Sequence, residues 1–99
     1  MTSYYAVIFT STKTANTDGY AQMAEVMVEL ARQQEGFLGI ESAQGEIGIT
    51  VSYWETLEAI AQWKANSDHL IAQKKGIKEW YTWYNVKICK VEREYSFKK

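Results

Sequence analysis

Residues 37–54, FLGIESAQGEIGITVSYW, most narrow what this chain can become. Two runs of aliphatic, aromatic and β-branched residues, FLGIESA and IGITVSYW, flank the tight polar turn QGE, which is the pattern of a β-hairpin. Side chains alternate along a strand. In the second run Ile47, Ile49, Val51 and Tyr53 therefore share one face, and Gly48, Thr50, Ser52 and Trp54 the other. Helical patterns stand on both sides of the hairpin. Before it, in DGYAQMAEVMVELARQQEG, the residues Tyr20, Met23, Ala24, Met27, Leu30 and Ala31 fall on one amphipathic stripe. Asp18 is placed to cap the start of this helix and Gly36 to end it. After the hairpin, TLEAIAQWKA reads as a helix with Thr56 as N-cap and Glu58 in the first turn, where negative charge is favourable. Asn66 or Ser67 then restarts a short helix, DHLIAQKK, ended by Gly76.

The outer segments complete the pattern. YYAVIFTS, residues 4–11, is short and rich in strand formers, so it reads as a mostly buried strand. TKTANTDG is a polar loop. IKEWYTWY reads as an irregular or helical connector, and NVKICKVEREYSF as a long final strand. In that strand Val86 and Ile88 share one parity, whereas Val91, Arg93, Tyr95 and Phe97 share the other, so a bulge or bend is expected near Cys89. The order β-α-β-β-α-β is the ferredoxin-like arrangement of the α+β class, a four-stranded antiparallel sheet with both helices on one face. Its other face would be bare and would carry apolar and aromatic side chains. Such a patch marks an interface, and two copies packed sheet on sheet would cover it. The last strand, with Lys87, Lys90, Glu92, Arg93 and Glu94, could reach across the partner through cross-strand charge pairs.

Ninety-nine residues suit a single domain, 1–99. A net charge of −1 supplies no cationic field for nucleic acid or an anionic membrane. Cys89 is the only cysteine, which excludes an internal disulfide and fits a reducing compartment. The start, MTSYYAVIFTSTK, lacks a charged region followed by a long apolar stretch, and no apolar run approaches the roughly 20 residues of a membrane span. A soluble, cytoplasmic protein is expected. One histidine and one cysteine cannot supply a usual zinc set, and neither a G-x-G-x-x-G nor a G-x-x-x-x-G-K-[ST] motif is present for a nucleotide cofactor.

Several stretches resemble the antibiotic biosynthesis monooxygenase domain family, the dimeric α+β barrel proteins. They are YYAVIFTS, EGFLGIES, GITVSYWETLEAIAQWKANSDH and the closing WY…VEREYSF. The most specific part is Tyr53–Trp54–Glu55, then the helix with Trp63, then His69. The resemblance implies a homodimer built by sheet packing, with one pocket per protomer between sheet and helices. Similar proteins include cofactor-independent monooxygenases that oxidise polycyclic phenols to quinones with molecular oxygen, and others that degrade haem. In the quinone-forming pattern Trp63 sits at the tryptophan position, and His69 falls where a tyrosine would be. Ala59 stands in place of the asparagine one turn before the tryptophan. The haem-degrading pattern needs an asparagine on the first strand and a tryptophan about ten residues before the histidine. Neither is present, so no haem and no other cofactor is expected.

His69 is the candidate proton-handling residue, since an imidazole titrates near neutrality and could accept a phenolic proton. Packing between two short helices is its structural alternative. Trp63, on the stripe of Leu57, Ile60 and Ala61, is the second catalytic candidate, either stacking on a flat ligand or filling the core. Tyr53, Trp54, Trp80 and Tyr81 are the candidate substrate-binding residues, with core or dimer contact as their alternative. The expected ligand is a small aromatic or apolar molecule; a dimer that binds one without turnover is the rival reading.

Overall fold

The computed structural model describes residues 3–73 and 77–99, with side chains described outside 69–78. The elements are β1 (Tyr4–Lys13), α1 (Tyr20–Arg32), β2 (Phe37–Ala43), β3 (Gly48–Trp54), α2 (Leu57–Gln73), α3 (Ile77–Trp80) and β4 (Tyr81–Val91). The four strands form one antiparallel sheet in the order β2-β3-β1-β4. This is the expected ferredoxin-like βαββαβ arrangement.

The hairpin forms as its alternation requires, with Ala43 opposite Ile49 and Gly39 opposite Tyr53. One irregularity lies between Phe37 and Gly39, where Leu38 is the extra residue. Helix α1 buries Met23 and Ala31 from its stripe. Its start differs from the expectation. The N-cap is Gly19, in the left-handed region at φ 83°, and no side chain caps the helix. Asp18 contributes its main-chain carbonyl instead, which accepts the Trp80 indole N–H at 2.8 Å. The helix ends at Arg32, with Gln33 as C-cap. Gly36 serves the next junction. At φ 86° its carbonyl accepts the Glu55 N–H at 2.8 Å, and a Cβ there would lie 2.8 Å from the Ala59 Cβ.

The expected break at Asn66 or Ser67 does not occur, and α2 is one helix. The polar side chains that suggested a cap find other partners. Ser67 Oγ donates to the Lys64 carbonyl at 3.1 Å, Asn66 Nδ2 donates to Gln34 Oε1 at 2.9 Å, and Lys64 pairs with Asp68 at 2.7 Å. Such residues disfavour a helix when they compete for backbone groups; here they do not interrupt it. Thr56 does cap the start, its hydroxyl accepting the Ala59 N–H at 3.0 Å. Gly76 lies outside the described residues.

Strand β4 begins earlier than expected and ends sooner. Its pairing with β1 runs unbroken from Tyr4↔Val91 to Thr12↔Trp83, and the irregularity falls between Thr12 and Lys13. No bulge lies at Cys89, which pairs with Ala6. The parity switch has another cause: β1 begins at Tyr4, so among the described residues those beyond Val91 have no strand to pair with. Tyr95 and Phe97 lie in this unpaired end, 86% and 88% exposed.

The two sheet faces differ. On the helix face Ala31, Trp54 and Ile60 form the buried core, with Tyr5, Val7, Phe37, Ala59 and Trp63 packed against it. Burying a side chain such as Ile60 contributes about 1.5–3 kcal/mol. The open face presents a shallow hollow lined in part by Tyr4, Ile8, Leu38, Val51, Tyr53 and Val91.

Candidate functional site

The helix face holds two aromatic groups. In the first, Trp54 at the end of β3 is fully buried, and its indole N–H donates to Ser52 Oγ at 2.9 Å. Phe37 meets it edge-on at 5.4 Å. Helix α2 lays Trp63 over it, with ring centroids 5.8 Å apart and 25° between the planes. Trp63 stays half-buried, so one ring is fixed and the next is partly open.

The second group gathers where β1 ends and β4 begins. Phe9 stacks on Tyr84 at 5.4 Å and meets Tyr81 edge-on at 5.7 Å. Tyr20, the first residue of α1, meets both Trp80 and Tyr81 edge-on, at 5.8 and 6.0 Å. Burial, with the adjacent Tyr20 hydroxyl, pushes the Tyr81 phenol well above its usual range, so it stays a proton donor. Trp80 is buried as a tie between distant segments. Its indole holds Asp18, its carbonyl accepts the Thr14 N–H at 2.8 Å, and Thr14 Oγ1 also donates to the Glu79 carbonyl.

Between the groups runs an uncovered strip of β4. Tyr84, Val86 and Ile88 pair with Ser11, Phe9 and Val7, which puts them on the helix face. They are nevertheless 51%, 48% and 52% exposed. An edge strand with three half-open apolar side chains on the same sheet face as a stacked tryptophan pair offers a surface to a flat apolar ligand.

The candidates therefore divide. Trp54 and Trp63 come together. Trp80 and Tyr81 belong to the second group, and Tyr53 lies on the open face. There its hydroxyl donates to Glu41 at 2.8 Å and its ring meets Tyr4 at 6.1 Å, while Tyr4 donates to Glu94 at 2.5 Å. These carboxylates raise both phenols, Tyr4 to about 12. The His69 side chain lies outside the described residues. Its position on the continuous α2 lies about 9 Å along the axis and about 120° round from Trp63.

Sequence reasoning gave Tyr84 a pocket-rim or dimer-contact role but missed Ser11, Lys13, Phe9, Tyr20 and the rest of the β4 strip, Val86 and Ile88. A usable signal was present: extending the alternation of β1 past Ser11 puts Lys13 on the same face as Phe9. Among the described residues no three His, Cys, Asp or Glu side chains gather as metal ligands, and no helix is long and apolar enough to cross a membrane.

The sequence pattern of antibiotic biosynthesis monooxygenases matches residues 3–75. The chain belongs to this family. Another protein similar to it is the uncharacterized YqjZ of Bacillus subtilis (strain 168), 50% identical over 97 residues, covering 95% of this chain and 84% of YqjZ. Among solved structures, PA3566 from Pseudomonas aeruginosa matches with a TM-score of 0.71 and 19% identity, over 96% of this chain and 98% of its own. SnoaB, a cofactor-independent oxygenase from Streptomyces nogalater solved in mutant form, matches with a TM-score of 0.75 and 8% identity, over 92% and 95%. At these identities the two structures share the monooxygenase-family fold with this chain, and the fold hosts more than one activity.

Proposed function

We propose that this family member is a cofactor-independent monooxygenase that oxidises a small phenol or hydroquinone-type aromatic with molecular oxygen. The observation that carries the reading is the half-open Trp63, stacked on a buried Trp54, with the uncovered β4 strip on the same face of the sheet. A planar ring could lie on either surface and lose its water there. In the balanced reaction a phenol and dioxygen give a quinone and water. One oxygen atom becomes the new carbonyl, and the other leaves as water with the phenolic proton and the displaced ring hydrogen. All four electrons come from the substrate, so no separate reductant is required. His69 is the proposed acceptor of the phenolic proton, which would raise the electron density of the ring before oxygen attacks. SnoaB, described as a cofactor-independent oxygenase, supports the reaction class by likeness of fold.

The same reading makes the protein a cytoplasmic homodimer joined through the open sheet face, where the exposed Leu38 and the half-buried Ile8 and Val51 line the hollow. The test is oxygen consumption by the pure protein with a panel of hydroquinones and fused-ring phenols, with the quinone product followed by absorbance. Uptake matched by quinone is expected; none across the panel sinks the catalytic reading.

One observation favours the rival, a homodimer that binds an aromatic metabolite without turnover. Ala59 stands where the quinone-forming pattern has an asparagine, so that pattern's polar group one turn before Trp63 is missing. Ligand-dependent thermal stabilisation of about 2.7 kcal/mol at a hundred times Kd, with no oxygen consumed, would select it.

A further inference from the structure

At the end of the helix face where β1 and β3 meet, polar groups converge inside the aromatic surround. Ser11 stands opposite Gly48 on one side and Tyr84 on the other, and it is 2% exposed. A Cβ at Gly48 would lie 2.7 Å from Gln44 Oε1, 3.0 Å from Lys13 Nζ and 3.3 Å from Ser11 Oγ. The absent side chain lets these three groups approach one point. Lys13 Nζ donates to Gln44 Oε1 at 2.6 Å and stands 4.8 Å from the centre of the Tyr20 ring.

Both of those partners are neutral. Among the described residues the only ion pair is Lys64–Asp68, so no carboxylate answers the charge of Lys13. An ammonium carries three donors, and a cation partly withdrawn from water attracts an anion more strongly than an exposed one. Tyr81, held protonated nearby, adds no competing negative charge. The apolar strip starts at the same place. Tyr84 is the cross-strand neighbour of Ser11, and Val86 follows two residues on, about 7 Å along the strand. That distance is on the scale of a two-ring aromatic.

We propose that the helix face binds a flat aromatic anion, with its rings on Tyr84 and Val86 and its charged oxygen at Lys13 and Ser11. Aromatic carboxylates and phenolates share this chemistry. The inference rests on the helix face as the ligand site of the proposed function and is independent of turnover.

Calorimetric titration with 2-naphthoate and its uncharged amide, 2-naphthamide, tests it. Wild-type protein should bind the naphthoate at least tenfold more tightly. Lys13→Met should lose that preference while its affinity for the amide holds, and Lys13→Arg should keep it. Raising the salt concentration should weaken the naphthoate alone, a measurement that needs no variant. Equal affinities in wild type, no binding of either probe, or a preference untouched by both Lys13→Met and salt would overturn the proposal. A Lys13-dependent preference in a protein that consumes no oxygen would leave this inference standing and remove only the oxygenase reading.

Discussion

Trp63 lies nearly parallel to Trp54, ring centroids 5.8 Å apart, with one ring buried and the other half open. The buried ring fixes the floor, and α2 fixes the height of the ring above it. Trp63→Ala should therefore cost about 3 kcal/mol, the low end for truncating a packed aromatic. Trp63→Phe should recover much of that loss. Chemical denaturation of the three proteins measures both; equal stability for alanine and tryptophan would show that the stack carries no packing energy.

His69→Ala separates turnover from binding. If His69 takes the phenolic proton, the variant should lower oxygen consumption by about a hundredfold or more, with ligand affinity little changed. An unchanged rate would remove His69 from the chemistry.

The open face should hold two copies together. Sedimentation of the wild-type protein should give twice the 11.4 kDa chain mass. Val51→Glu puts a charge in the floor of the hollow lined by Tyr4, Ile8 and Leu38, and should give a monomer. A wild-type monomer at micromolar concentration would refute the packing.

Tyr4 should ionise late. Its bond to Glu94 raises the phenol from 10 to about 12. The folded value lies above the unfolded one, so the stabilisation is fully present below pH 10 and is lost as pH rises through about 12. Tyrosinate absorbance should show a step near pH 12 that disappears in Tyr4→Phe and moves down in Glu94→Gln.

Most of the architecture was legible because it depends on local period. The hairpin alternates every two residues, α1 repeats its stripe every 3.6, and Thr56 caps α2 from within its own turn. What failed to show depends on distant partners. Asn66 looked like a helix stop, yet its side chain is engaged by Gln34, 32 residues away in sequence. The apparent bend at Cys89 was the end of pairing, set by where β1 starts. Tyr53 and Trp54 were expected on opposite faces, and they are. Which of them met the helices was decided by Phe37 and Trp63. The alternation of β1 puts Ser11 and Lys13 on one face, but their meeting with Gln44 had no local signature, since Gln44 is 31 residues from Lys13 and the space exists only over Gly48.

The place of β1 has a temporal consequence. Among the four described strands, the one made first sits inside the sheet, flanked by β3 and by β4, the one made last. Its two sides are filled by segments about 40 and 80 residues downstream. Contacts so far apart slow folding, because the intervening chain must close before they form. During synthesis Val7 and Phe9 must wait on the ribosome with one flank bare until residues 84–88 emerge. Nascent chains halted at residue 80 should stay open to protease, and full-length released chains should not. For this sheet, closure waits until β4 has been made.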